Sequence, residues 1–166
     1  HTHTYAHTHP HTNALEIGAG SSPLVQLLSQ QYERVICVDN SEAMLRATRA
    51  AIKAWDLKNV DCRYADFLTI DPDAQIDLLV INMVLHHIAS PSSFFEAARP
   101  WMTPEGRLLV IDLCPHDQDW AREICGDQWL GFDPSDLLTW ALDAGFCSDQ
   151  TAYLGLKNGF QIQIHL

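Results

Sequence analysis

LEIGAGSSP, residues 15–23 of a 166-residue chain, decides how the rest is read. An apolar stretch carrying one acid, Glu16, runs into two glycines one residue apart, Gly18 and Gly20, and Pro23 opens a helical pattern. Glycine admits backbone conformations closed to other residues and lets a ligand approach the main chain, and proline is favoured in the first turn of a helix. The layout is strand, ligand-cradling turn, helix. A dinucleotide fingerprint would place a third glycine where Pro23 stands, and the G-x-x-x-x-G-K-S/T phosphate loop is absent. What remains is a glycine turn at a strand end without the features that diphosphates favour.

Outward from this turn, strand-like and helix-like segments alternate. Strands are expected at Ala14–Ile17, Arg34–Val38, Val60–Tyr64, Ile76–Ile81 and Arg107–Asp112. IDLLVI and RLLVID are near-continuous aliphatic runs, as in strands buried on both faces of a parallel sheet. Helix starts are marked by Ser22 with Pro23, by Ser41, by Ser90 with Pro91, and by Asp133 with Pro134, the last helix stopping at Gly145. The expected inward residues are Leu24, Leu27 and Leu28, then Ala43, Ala47, Ala50 and Ala51, then Phe94, Phe95 and Ala98, and finally Leu137, Leu138 and Ala141. TAYLGL and FQIQIHL, joined through Lys157-Asn158-Gly159, read as a hairpin. The expected fold is α/β: a doubly wound, Rossmann-like, mostly parallel sheet over residues 13–166, ending in an antiparallel hairpin.

Composition narrows the function. A net charge of −11, with only ten Lys and Arg, argues against direct nucleic-acid binding and for a small-molecule ligand. Neither a membrane span nor a secretory signal is visible. The five cysteines include no C-x-x-C pair and several lie in apolar runs, which suits reduced thiols of a cytoplasmic protein. The first twelve residues hold five of the nine histidines and no apolar period, so residues 1–12 are expected to be a disordered tail, with a metal-binding arm as the alternative.

A ligand lying across the carboxyl ends of these strands would meet one group from each. Glu16 could fix a cationic or hydroxyl-bearing group. Asp39 ends the second strand, where an acid can accept from both hydroxyls of a ribose. Asp66 and Phe67 follow the third, a carboxylate for an exocyclic amine and a ring for an adenine edge. Asn82 and Met83 follow the fourth.

Together these segments resemble the class I S-adenosylmethionine (SAM)-dependent methyltransferases. The matching stretches are LEIGAGSS (15–22), VICVDNSEAML (35–45), YADF (64–67), INMVLHHI (81–88) and PWMTPEGRLLVIDL (100–113), in the family's order. Ser22 departs from the pattern, which has glycine there. The resemblance implies methyl transfer from SAM, leaving S-adenosylhomocysteine (SAH), to an acceptor expected to be a small molecule. It implies a cofactor site of Glu16, Gly18, Ala19, Gly20, Asp39, Asn40, Met44, Asp66, Phe67, Asn82, Met83 and Val84. Members of this class place helices before the first strand as a lid. Here the first strand starts at about Asn13, so the lid is expected to be absent, and the face it leaves could pair with a second copy as a homodimer. More narrowly, DLCPHDQDWAREICGDQWLGF (112–132) with the final NGFQIQIHL is similar to the methyltransferase-type domain that follows an ArsR-type winged-helix domain in bacterial regulators. That similarity implies an alternative role, a non-catalytic SAM or SAH sensor.

Other polar clusters admit two readings each. His86 and His87 could serve as base or substrate contact, or as packing and capping residues. His116, Asp117 and Asp119 could hold a metal, but acids at a helix start complement its dipole equally well, and no metal is expected. Trp120, Trp129 and Trp140 are expected to pack helices.

Overall fold

The computed structural model describes residues 12–20, 22–113 and 132–147, together with the backbone of two later strands at 151–155 and 161–165. One seven-stranded sheet organises them. Its strands are β1 (Asn13–Ile17), β2 (Arg34–Asp39), β3 (Val60–Tyr64), β4 (Ile76–Asn82), β5 (Met102–Leu113), β6 (Thr151–Gly155) and β7 (Gln161–His165). Their spatial order is β3-β2-β1-β4-β5-β7-β6. The first five run parallel, and β7 pairs antiparallel with both β5 and β6. The Lys157-Asn158-Gly159 turn and the histidine-rich residues 1–11 lie outside the described residues. From β1 the chain winds outward to β3, then returns to β4 and winds the other way. This reversal opens a crevice at the carboxyl ends of β1 and β4, the place where open parallel sheets bind ligands.

Alternation along the buried strands feeds two cores. Leu15, Ile17, Ile36, Val38, Leu79 and Ile81 face Phe94, Phe95, Trp101 and Leu137. Ala14, Val35, Cys37 and Val80 face Val25 and Leu28 on the other side. A buried aromatic such as Phe94 or Trp101 typically costs about 3–5 kcal/mol when cut to alanine, so the first core carries much of the stability.

The helices are α1 (Leu24–Gln31), α2 (Glu42–Ala54), α3 (Pro91–Ala98) and α4 (Pro134–Asp143). Three of the expected inward stripes are corrected, those of α1, α2 and α4. In α1 the buried residues are Val25 and Leu28, one turn apart, while Leu27 is 53% exposed. In α2 they are Leu45 and Thr48, and Ala43 and Ala50 are exposed. Thr48 satisfies its hydroxyl by donating to the Met44 carbonyl at 3.0 Å. Small apolar residues fit either side of a helix, which is why the alanine pattern misled. In α3, Phe94, Phe95 and Ala98 are buried as expected, and in α4 Leu137 is buried but Leu138 is exposed.

The capping signals also resolve. Ser22 Oγ accepts from the Leu24 N–H at 3.2 Å, Ser41 Oγ from Met44 N–H at 3.3 Å, and Asp133 Oδ1 from Ser135 N–H at 2.8 Å. Ser90 makes no such bond. Strand β5 begins at Met102, not Arg107, because Met102 already pairs with Ile76 before the register shifts. Gly106 permits that approach, since a Cβ there would stand 2.8 Å from the Ile76 carbonyl oxygen.

Candidate functional site

The turn after β1 is built around two left-handed glycines. Gly18 has φ +78° and Gly20 φ +53°. A Cβ on Gly18 would lie 2.1 Å from Val84 Cγ2 and 3.1 Å from the Asn82 carbonyl oxygen. On Gly20 it would lie 2.8 Å from Met44 Cε. The first glycine thus lets the β1 turn close on the end of β4, and the second lets α2 approach through Met44. Ala19, between them, is buried.

Glu16 stands directly beneath this turn. It is fully buried, and neither carboxylate oxygen has a hydrogen-bond partner among the described residues. Burial pushes its carboxyl up to about 7, and the nearby Asn82 side chain opposes the shift without reaching hydrogen-bonding geometry. A carboxylate so placed favours an incoming cation strongly.

The ends of β2, β3 and β4 form an indentation of about 60 Å³ lined by Asp39, Asn40, Asp66, Phe67, Val84 and Ile88, among others. Asp39 Oδ1 accepts from the Ser41 N–H at 2.9 Å, which orients the carboxylate at the mouth. Half-burial raises its carboxyl above the usual range, against the lowering pull of backbone N–H groups at Ser41 and Asn40. Asp66 Oδ1 accepts from Leu68 N–H at 3.0 Å, a turn that holds Phe67 in place. Phe67 itself is mostly core: its ring stacks on Trp101 at 5.6 Å between centroids and meets Phe94 at 5.8 Å.

Beyond β4 the backbone is unusual. Met83 is left-handed at φ +57°, and its N–H donates to the Ile111 carbonyl at 2.8 Å. Non-glycine residues rarely adopt this conformation, and they do so most often at functional sites. The kink sends the chain into a short 3-10 turn, Leu85–His87, over the end of β5. There the buried Asp112 accepts twice from His86, from its backbone N–H at 3.2 Å and at 2.7 Å from its Nδ1. His87 lies alongside, ring centroids 4.2 Å apart.

Of the twelve expected cofactor residues, Asp39, Asn40, Asp66, Phe67 and Val84 line the indentation, Gly18 and Gly20 approach Val84, Asn82 and Met44, and Glu16, Ala19 and Met83 adjoin these in the chain. Sequence reasoning missed Asp112, whose signal was an acid closing an aliphatic strand beside a His-His pair. A larger cavity, about 320 Å³, lies among α3, α4 and the start of β5, lined by Phe95, Arg99, Met102, Leu137 and Phe146. It sits at the amino end of β5, away from the glycine turn, so we place the site at the smaller one. His116, Asp117 and Asp119 with Trp120 and Trp129 lie outside the described residues. Among the described residues no group of three side chains is arranged to hold a metal, and no helix is long and apolar enough to cross a membrane.

The sheet order and the left-handed glycine turn at its reversal define the class I methyltransferase fold. The chain belongs to the family described as "Methyltransferase domain", which matches residues 15–110. It is 30% identical over 113 residues to an uncharacterized methyltransferase of Staphylococcus carnosus, covering 66% of this chain and 51% of that protein. It is 26% identical over 116 residues to the ubiquinone biosynthesis O-methyltransferase of Bradyrhizobium diazoefficiens, covering 70% and 46%. Its fold is similar to the N-methyltransferase NodS of Bradyrhizobium japonicum, solved with SAH, at a TM-score of 0.70 and 16% identity, covering 93% and 77%. The chain spans about half the length of these curated relatives.

Proposed function

We propose that this chain binds SAM at the ends of β1–β4 and transfers its methyl group to a small-molecule acceptor. One observation carries the reading: a fully buried carboxylate, Glu16, without a hydrogen-bond partner among the described residues, at the turn of two left-handed glycines. A buried acid in that state costs stability unless a cation or donor arrives. The amino-acid end of SAM or SAH supplies an ammonium group of the right charge. Asp39 then accepts from ribose hydroxyls, Asp66 from the exocyclic amine of adenine, and the edge of Phe67 borders the ring. Asn82, Met83 and Val84 line the centre of the ligand, and Gly18 and Gly20 let the turn beneath it close onto β4 and α2.

When bound, SAM supplies an electrophilic methyl group on a sulfonium. The protein's part is to hold the ligand, exclude water from one face and position an acceptor in line. Asp39 and Asp66 at the mouth, with Glu16 buried behind them, suit a ligand whose reactive atom is positive.

Isothermal titration of the chain with SAM and with SAH tests this reading. Binding near micromolar, about 8 kcal/mol, is expected for each. Repeating the titration in buffers of different ionisation heat at pH 6.5 should show proton release, as the ligand's ammonium drives Glu16 to its charged form. No heat with either ligand, from a chain shown to be folded, overturns the proposal. The sensor role in an ArsR-type regulator predicts the same binding without turnover, and an assay for methylated product separates the two.

A further inference from the structure

Two free cysteines face each other across the parallel strands β2 and β3, on the side of the sheet that packs on Val25 and Leu28. Cys37 and Cys62 are direct register partners. Register partners in a parallel pair point to one face, and both side chains pack in the same apolar cluster with Ala14, Val35 and Val80. Neighbouring strands lie about 4.8 Å apart, inside the range of about 4.4–6.8 Å between Cα atoms that a disulfide spans. The backbone therefore already holds the two sulfurs where one bond can join them.

The two thiols are not equivalent. Cys37 is 1% exposed, on a strand with neighbours on both sides, whereas Cys62 is part-exposed on β3, the last strand at its end of the sheet. Interaction with the Cys37 thiol, helped by the Arg49 guanidinium on α2, lowers Cys62 to about 7 against the opposing effect of burial. Cys37 moves the other way. Its contact with Cys62, its burial and the charge of Glu16, its register partner on β1, all push its thiol up. A reachable sulfur that ionises near neutrality thus stands beside a sheltered, protonated one. The thiolate is the reactive form, so attack begins at Cys62 and Cys37 is placed to complete it.

We propose that Cys37 and Cys62 are a redox-active dithiol, which a hydroperoxide converts to a reversible disulfide between β2 and β3. The Cys62 thiolate attacks one oxygen of hydrogen peroxide and the O–O bond breaks. Its electron pair leaves with the second oxygen, which takes a proton from solvent and departs as water, and Cys62 becomes a sulfenic acid. The Cys37 sulfur then attacks the Cys62 sulfur. An S–S bond forms, the S–O bond breaks, and the departing hydroxide takes the Cys37 proton to leave as a second water. Each sulfur is oxidised by one electron, and each peroxide oxygen is reduced by one. The usual Cβ separation in a disulfide, about 3.8 Å, is less than the strand spacing, so closure draws β2 and β3 together and leaves a bond that is easily reduced. Neither thiol is among the groups proposed to hold SAM, so the inference stands apart from that reading.

The test uses the full, unliganded chain, reduced and then freed of reductant. It is treated with hydrogen peroxide while folded, its remaining thiols are blocked with N-ethylmaleimide, and it is digested with trypsin without reduction. Cleavage after Arg34, Arg46, Lys58 and Arg63 puts Cys37 on the peptide 35–46 and Cys62 on the peptide 59–63, each without a second cysteine. The expected product is these two peptides joined by a bond that dithiothreitol releases. In Cys37→Ala the Cys62 sulfenic acid should persist and be trapped by dimedone. In Cys62→Ala the oxidation of Cys37 should be slower by about tenfold or more. Recovery of both peptides unlinked, with their thiols intact, would overturn the proposal. So would Cys62 bonded to Cys114, Cys125 or Cys147, or carried on to the sulfinic acid while Cys37 stays a thiol. A link that forms in urea but not in the folded chain would overturn it as well. The link itself is read in the parent chain, so a variant that fails to fold leaves this test intact.

Discussion

Glu16 and Asp112 are both fully buried acids at the carboxyl ends of parallel strands, with one strand between them in the sheet. Their surroundings differ completely. Asp112 meets a 3-10 turn that brings it a backbone N–H and an imidazole. Glu16 meets a turn of two glycines and an alanine that offer no side-chain donor, and its oxygens have no hydrogen-bond partner among the described residues. Near β5 the chain has solved the problem of a buried charge internally. Near β1 it has left the problem open, and the open problem is where a ligand's charge is worth most. The contrast separates a carboxylate that holds structure from one held in reserve for binding.

The largest effect should come from Asp112→Ala. It removes the two bonds that Asp112 accepts from the buried His86, so urea unfolding should show a loss of about 3–5 kcal/mol. If that loss is under 1 kcal/mol, the contrast between the two acids fails. Glu16→Gln should act in the opposite sense, and with pH. The Glu16 carboxyl rises from 4.5 to about 7 on folding, so the folded state binds its proton more tightly. Below 4.5 both states are protonated and nothing is lost. As pH rises from 4.5 to 7 the unfolded chain ionises first and stability falls, by on the order of 3 kcal/mol once above 7. Glutamine does not titrate. The unliganded variant should therefore gain on the parent between pH 5 and pH 8 while losing at least tenfold in SAH affinity. Equal pH profiles for the two proteins would mean Glu16 is already satisfied.

Gly18→Ala sharpens the same comparison from the backbone side. Its φ of +78° and a Cβ 2.1 Å from Val84 Cγ2 should together cost about 2–3 kcal/mol. Val84→Ala in the same chain should return part of the loss, measured by thermal unfolding, since it removes the atom that the new Cβ strikes. The conformational part should stay.

The parallel sheet was legible because β1, β2 and β4 are short aliphatic runs separated by capped helices, and burial on both faces leaves that mark in composition. The acids at the strand ends were legible for the same reason, as charges that interrupt apolar runs. Three features were not. The inner faces of α1 and α2 depend on how each helix is rotated on the sheet, and Leu27 or Ala43 fits the pattern as well as Val25 or Leu45. The packing of the Phe67 ring on Trp101 and Phe94 involves residues far away in sequence that no local pattern connects. The partnership of His86 with Asp112 spans 26 residues and exists only because β4 and β5 are neighbours.

The smallest effect asks whether the site depends on the helix beside it. Ser41 caps α2 through Oγ, while its backbone N–H donates to Asp39 Oδ1 at 2.9 Å. Ser41→Ala removes the first bond and keeps the second. Stability should fall by about 1 kcal/mol, the usual value of a serine cap. SAH affinity should change by less than twofold, because the group that orients Asp39 belongs to the main chain. A large loss of affinity would show that the fraying of α2 reaches Asp39 and Met44. The β1 side of the crevice would then be held by helix packing, and its difference from the His86–Asp112 side would be one of mechanical support as well as charge.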